Sequence, residues 1–307
     1  LRFAVLGAGA IGSLIGGLLS EAGSDVTLVG RAPHMNAIKS KGLHISGDSG
    51  EKTIRVKAET TTSAIKGTAD IILCTVKAYD TRQAAIDAKR LMGKESLFLC
   101  LQNGLDVEKE AADILGDINV ARGITNNGAL IVRPGYVKHT GLGETTIGCR
   151  DARWRMITKC IVESFNIAGL PATLTEDIER LVWLKVLVNS GINALGAITH
   201  LKNGELLSNP WLKDLMRSTI TEGIMVAKKV GIDLRNEDIV ERTYKIAEGT
   251  AVNKNSMLQD VEKGKRTEID FINGAVGRIG RNVGVPTPIN DTLTALVKSM
   301  EPCTTSQ

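Results

Sequence analysis

Phe3-Ala4-Val5-Leu6-Gly7-Ala8-Gly9-Ala10-Ile11-Gly12, near the start of the 307-residue chain, is the stretch on which the fold turns. A short apolar run leads into a glycine-punctuated turn, and an apolar, helix-compatible segment over 11–22 follows it. In that strand-turn-helix setting each glycine has its own use. Gly7 allows a tight turn, Gly9 lets backbone approach a pyrophosphate, and Gly12 permits close packing of helix on strand. Phosphates bound along Gly7-Ala8-Gly9-Ala10-Ile11-Gly12 would sit at the positive end of the helix. The same stretch can mislead, because 3–20 is uncharged and follows Arg2, as in a signal peptide or membrane span. Glycines at 7, 9, 12, 16 and 17 suit the strand-turn-helix unit better, and the chain is expected to be cytoplasmic.

Outward from this unit, short apolar runs at 25–29, 69–76, 97–101 and 120–124 alternate with amphipathic segments. Such alternation implies crossover connections, a mostly parallel sheet and helices on both of its faces, which is a Rossmann-type α/β fold. The glycine-flanked runs at 129–132, 136–139 and 145–148 are expected as antiparallel additions at the sheet edge. Beyond about residue 150 the period becomes helical, over 154–168, 176–198, 211–230, 237–248 and 268–283. The length favours two domains. Residues 1–170 are expected to form the dinucleotide-binding domain and residues 171–307 an all-helical one, with a boundary near Leu170-Pro171 and a frayed tail over 302–307.

The second strand ends in Val29-Gly30-Arg31 with no carboxylate at its tip. An acidic residue there would accept from a ribose 2′-hydroxyl, whereas Arg31 can pair with a 2′-phosphate, so NADP(H) is the expected cofactor.

Composition narrows the remaining classes. The 38 basic and 34 acidic residues leave a net charge of +4 without a basic block, and only 3% of residues are aromatic, which argues against nucleic-acid binding. Five cysteines, an odd number, show no CxxC spacing, so neither a disulfide framework nor a zinc site is expected. Cys74 and Cys100 fall in strand-like runs, where a free thiol acts as a small hydrophobe in a reducing compartment. His34, His44, His139 and His200 are too scattered to suggest a metal site.

Leu184-Lys185-Val186-Leu187-Val188-Asn189-Ser190-Gly191-Ile192-Asn193 has the signature of a core helix carrying polar residues at four-residue intervals. Lys185, Asn189 and Asn193 drift only ~40° apart per step and form a row ~12 Å long. An isolated buried ammonium costs several kcal/mol, so Lys185 must be paired, snorkel, or face a cleft. Three aligned polar groups favour the cleft. The competing reading is a snorkelling lysine with asparagines bonded to neighbouring backbone.

With the glycine turn in one domain and this helix in the other, the chain closely resembles the ketopantoate reductase (2-dehydropantoate 2-reductase) family. The likeness runs through Gly7 to Gly12, Val76-Lys77, Gln102-Asn103-Gly104, Lys185 with Asn189 and Asn193, Asn203-Gly204-Glu205, Asn253, Ser256 and Thr267-Glu268-Ile269-Asp270. The resemblance implies NADPH-dependent reduction of ketopantoate to pantoate, a step toward pantothenate and coenzyme A. Lys185 is then the proton donor, and Glu268 lies near the nicotinamide, where it can also orient Lys185. Asn103, Asn189, Asn193, Asn203, Asn253 and Ser256 are implied as substrate residues, and Lys77, Asn103 and Ala129 as cofactor contacts. Asn103 also fits a tight turn before Gly104, and Ser256-Met257-Leu258-Gln259 fits a capping box as well as a carboxylate site. Two other functions stay open: reduction of a different small keto acid, and a non-catalytic NADP(H) sensor. The expected partner is a small keto acid, with no nucleic acid and no membrane; a homodimer is one option for assembly.

Overall fold

The computed structural model describes residues 1–148 and 151–302. Cys149 and Cys303, and all of the 302–307 tail beyond Pro302, lie outside the described residues. The chain divides into two compact units. The first comprises Leu1–Gln102 and Val107–Ile178, the second Asn103–Asp106 and Glu179–Gln307.

In the first unit the chain runs β1 (Arg2–Leu6), α1 (Ala10–Glu21), β2 (Asp25–Val29), α2 (Ala32–Lys41), β3 (Leu43–Gly47), β4 (Lys52–Ile54), β5 (Lys57–Glu59), β6 (Ala69–Cys74) and α3 (Thr81–Ala88). It continues through β7 (Met92–Cys100), α4 (Val107–Leu115), β8 (Val120–Thr125), β9 (Gly128–Arg133), β10 (Tyr136–Gly141), β11 (Thr145–Gly148), α5 (Arg155–Ile167) and β12 (Ala172–Thr175). Eight strands form the main sheet in the order β12-β11-β8-β7-β6-β1-β2-β5, all neighbours parallel except β8 and β11.

Alternation along the strands sends side chains to two cores. Phe3, Val5, Val26, Leu28, Ile71 and Leu73 pack with Leu14, Ile15 and Leu18 of α1 and Ile161 and Phe165 of α5. Ala4, Leu6, Ile72, Cys74, Phe98 and Cys100 pack on the opposite face with Ala84, Ala85 and Ala88 of α3 and Ala111 of α4. Both faces are therefore covered, as a largely parallel sheet requires.

Two expectations are corrected here. Only the run over 145–148 joins the main sheet as an antiparallel addition. Those over 129–132 and 136–139 instead build a separate four-stranded sheet, order β4-β3-β10-β9. The reason is burial: β10 pairs in parallel with β3, and Val137, Leu43 and Ile45 join the core beside α1. The first unit also continues past the Leu170-Pro171 position expected from periodicity, because β12 hydrogen-bonds to β11.

The second unit is helical: α6 (Ile178–Thr199), α7 (Asn203–Ser208), α8 (Pro210–Lys229), α9 (Ile239–Gly249), α10 (Ser256–Glu262), α11 (Asn273–Val283) and α12 (Pro288–Met300). Length and apolarity would let α6 cross a membrane, yet 78% of its most apolar window is buried within the chain, as in a core helix. Glycines bring α8 onto it: a Cβ at Gly223 would lie 2.4 Å from Leu187 Cδ2, and one at Gly191 would lie 2.9 Å from Ile220. The continuous helix expected over 268–283 is broken. Residues Ile269–Phe271 form a short 3₁₀ turn, Ile272 leaves helical geometry at φ −106°, ψ −95°, and α11 begins at Asn273.

Candidate active site

The glycine turn lies at the carboxyl end of β1, where the strand order reverses between β1 and β6, the place where open α/β sheets bind ligands. Gly7 has φ +91°, and a Cβ there would fall 2.4 Å from the Val76 amide nitrogen. Its neighbour contacts are equally tight. Thr75, just past β6, donates from Oγ1 to the Gly7 carbonyl at 3.0 Å, and a Cβ at Gly12 would strike that same Oγ1. Gly9 differs, because a Cβ there would meet nothing nearer than the Gly7 carbonyl at 3.8 Å. The protein's own packing does not demand glycine at this position, and the open space beside its backbone leaves room for a bound group. With no acidic residue in its first turn, α1 presents its leading amides to an anion, so the cradle fits a dinucleotide pyrophosphate.

Arg31 is exposed at the cap position of α2, immediately past β2. The carboxylate on the adjoining strand, Glu59, is held by Lys39 at 2.7 Å. Lys77 follows Val76 and is half-buried ahead of a 3₁₀ turn, so it lies beside the glycine turn. Ala129 is placed in β9, paired with His139 and packed against the α1 side of the core. It is a strand residue and not part of a turn.

In the second unit Lys185, Asn189 and Asn193 share one helix as the spacing required, the first two half-buried and Asn193 buried. Three segments pack along or beside that helix. The first precedes α10: Asn255 sends Nδ2 toward the Ile192 carbonyl at 3.5 Å, and a Cβ at Gly196 would collide with it. The exposed Asn253 and Ser256 flank Asn255. Asn203 joins them, its amide donating to the Asn253 carbonyl at 3.1 Å and its Nδ2 to Thr250 Oγ1 at 2.9 Å. Asn203 Oδ1 is buried and bonded to no other group among the described residues, an acceptor the protein leaves unused.

The second segment carries Glu268, buried at the start of the 3₁₀ turn, and is tied to the helix by Asn273, whose Nδ2 donates to the Ser190 carbonyl at 3.1 Å. The third is Asn103–Asp106, grouped with this unit although it follows β7. Leu105 donates to the Phe271 carbonyl at 2.9 Å, Gly104 sits so close to Phe271 that a Cβ would clash, and Arg278 pairs with Asp106 at 2.8 Å. Asn103 and Glu268 are thereby anchored to the same short turn.

One local expectation fails. Ser256 is the first residue of α10 and does not cap it; the cap is Asn255, whose Oδ1 accepts from the Leu258 amide at 2.9 Å. Asparagine is as good a cap as serine, and it reaches the amide three positions on from one residue earlier. Asn255 and Asn273 hold their segments against the lysine helix and were not marked by the sequence, since an isolated asparagine carries no spacing signal.

A dinucleotide cradle in one unit and a lysine-asparagine row in the other define a nicotinamide-dependent oxidoreductase. The family model described as ketopantoate reductase PanE/ApbA matches residues 3–152, and the one described as its C terminal domain matches 177–301. The chain belongs to the ketopantoate reductase family. It is 40% identical over 303 residues to a 2-dehydropantoate 2-reductase of Pyrococcus horikoshii, with 98% of each chain covered. A second relative of the same name, from Archaeoglobus fulgidus, is 39% identical over 301 residues, again covering 98% of each. Among solved structures, a PanE/ApbA family ketopantoate reductase from Ralstonia eutropha JMP134 superposes with a TM-score of 0.91 at 33% identity, covering 98% of both chains. A D-mandelate dehydrogenase with NADH and anilino(oxo)acetate superposes with a TM-score of 0.92 at 27% identity over 98% of both chains.

Proposed function

We propose that this protein reduces 2-dehydropantoate to pantoate with NADPH, in the synthesis of pantothenate and coenzyme A. The observation that carries the reading is the lysine-asparagine row on a core helix in a chain matched over nearly its whole length by ketopantoate reductases. NADPH, when bound, supplies the hydride for the carbonyl carbon C2. Gly7, Ala8, Gly9, Ala10, Ile11 and Gly12 would hold its pyrophosphate and Arg31 its 2′-phosphate, with Lys77 on the nicotinamide side, Asn103 touching both cofactor and substrate, and Ala129 making a backbone contact to the cofactor. Lys185 donates a proton to the carbonyl oxygen as negative charge develops there, so that one hydride and one proton complete the alcohol. Glu268 orients Lys185. Asn189, Asn193 and Asn203 offer amide donors and acceptors to the substrate's hydroxyl and keto groups, and Asn253 and Ser256 engage its carboxylate end. A cytoplasmic location completes the proposal, with a homodimer one option for its assembly.

The structural likeness to D-mandelate dehydrogenase supports a second reading, reduction of a different small 2-keto acid by the same residues. NADPH oxidation with a panel of 2-keto acids separates the two. Turnover with ketopantoate well above that with the keto acid of mandelate is expected. Rapid turnover of another acid and none of ketopantoate would overturn the leading assignment.

A further inference from the structure

We propose that His34 is a positioning residue for coenzyme choice: its neutral imidazole, protonated on Nε2, ties the Arg31 end of α2 to the glycine turn. This rests on the reading that Arg31 receives the 2′-phosphate.

The hydrogen-bond directions leave one assignment. The Gly135 amide, an obligate donor, lies 3.0 Å from His34 Nδ1, so that nitrogen carries the lone pair. The proton is then on Nε2, which faces Ser13 Oγ at 3.0 Å. Ser13 passes its own hydroxyl proton to the Ala8 carbonyl at 3.2 Å. A one-way relay therefore runs from the turn between β9 and β10, through α2 and α1, into the glycine turn. His34 and Ser13 are 7% and 0% exposed, so water cannot replace either partner. Burial pushes the His34 pKa below its ordinary value, which keeps the ring in the neutral form that the relay needs.

Arg31 is held at the other end of the same turn of helix. Its carbonyl accepts from the His34 and Met35 amides, both at 3.1 Å, so its backbone moves with His34. Ala8 meanwhile abuts Gly30, where a Cβ would lie 3.3 Å from the Ala8 Cβ, and donates its amide to the Val29 carbonyl at 2.8 Å. The relay thus sets the separation between the pyrophosphate cradle and the guanidinium. A coenzyme with a 2′-phosphate engages both points at once. One without it engages only the cradle, so loosening α2 should affect NADPH far more than NADH.

The test is calorimetric titration of NADPH and NADH into wild type, Arg31→Ala, His34→Ala and His34→Gln, with circular dichroism confirming folding. His34→Ala should raise the NADPH Kd roughly tenfold, about one charge-assisted contact, and leave NADH within about twofold. His34→Gln, whose amide carries a donor nitrogen and an acceptor oxygen, should recover most of the loss. Equal weakening of both coenzymes, or no change in a protein where Arg31→Ala is selectively impaired, would overturn the positioning role alone. Absence of any selective loss in Arg31→Ala would overturn the 2′-phosphate reading and this proposal with it. If His34→Ala does not fold, Ser13→Ala breaks the same relay at its next link and carries the same expectations. Independently, ¹⁵N NMR of the wild type should show a neutral ring protonated on Nε2; protonation on Nδ1 at neutral pH overturns the assignment whatever the variants do.

Discussion

Lys185 is set in a helix whose neighbouring side chains Leu184, Val186, Leu187 and Val188 are buried, and its ammonium shares a row with two asparagines. In the proposed mechanism Lys185→Ala should lower kcat by roughly 10²- to 10⁴-fold while NADPH binding is retained, read by steady-state kinetics beside direct titration. A near-normal kcat removes Lys185 from the chemistry. Ser256 and its neighbour divide two roles that the sequence had merged. Asn255→Ala should cost about 0.5–2 kcal/mol of stability, the loss of a helix cap. Ser256→Ala should leave the urea midpoint nearly unchanged and raise KM. His34 makes a pH prediction whose sign follows from burial. Its folded pKa lies below the ordinary 6.5, so as pH falls through 6.5 the unfolded chain gains a proton that the folded chain refuses. Stability associated with this ring is present above that pH and declines as pH drops toward the folded pKa. Between pH 7 and pH 5 the wild type should therefore lose more stability than His34→Gln, measured as the difference in urea midpoints.

The start of α12 shows how a helix end is satisfied by a residue far away in the chain. Glu222 of α8, 6% exposed, accepts from the Ile289 and Asn290 amides at 2.9 Å each and from Asn290 Nδ2 at 2.8 Å. Asn290 in turn accepts from Asn273 Nδ2 at 3.1 Å, and that same nitrogen donates to the Ser190 carbonyl on α6. A buried polar chain therefore connects α12, α8, α11 and the helix bearing Lys185. Glu222→Leu would strand the Ile289 and Asn290 amides and leave Asn290 Nδ2 with only the Thr219 carbonyl at 3.0 Å, and should destabilise the protein by about 3 kcal/mol, while Glu222→Gln, which keeps an acceptor, should cost less. Urea titration of both variants tests this, and equal losses would mean that the cost is one of packing. Elements of this kind were also the hard ones to read in advance. Strand β2 was legible to both ends because Gly23-Ser24 and Gly30 bracket a short run in which Val26, Thr27 and Val29 favour strand. The six residues of α7 span too little of the helical period to show it, the seven of α10 were signalled only by the capping pattern at Ser256, and residues 32–41 hide α2 behind a weak apolar stripe.

Coenzyme binding should stabilise the first unit through the residues that hold it. With NADPH at about 100 times its Kd, mass action adds roughly 2.7 kcal/mol to the folded state. Hydrogen exchange should slow most in peptides covering 7–12 and 29–35, and protection confined to the helical unit would contradict the proposed cradle. Thiol chemistry checks the core on the α3 and α4 face of the sheet. Burial pushes Cys74 up to about 12 and Cys100 well above the ordinary thiol value, so alkylation of the native protein followed by peptide mapping should leave both unmodified. The glycine turn, the parallel α/β class and the face shared by Lys185, Asn189 and Asn193 were all determined by sequence alone. Each depends on residues within a few positions of one another, where backbone period and steric allowance decide the outcome. The second sheet, the grouping of Asn103–Asp106 with Phe271, the cap at Asn255 and the relay through His34 were decided only by tertiary structure. Those features depend on which buried donors and acceptors meet across long stretches of chain. Local pattern carries no record of that choice, because a buried polar group specifies that it must have a partner and not which one.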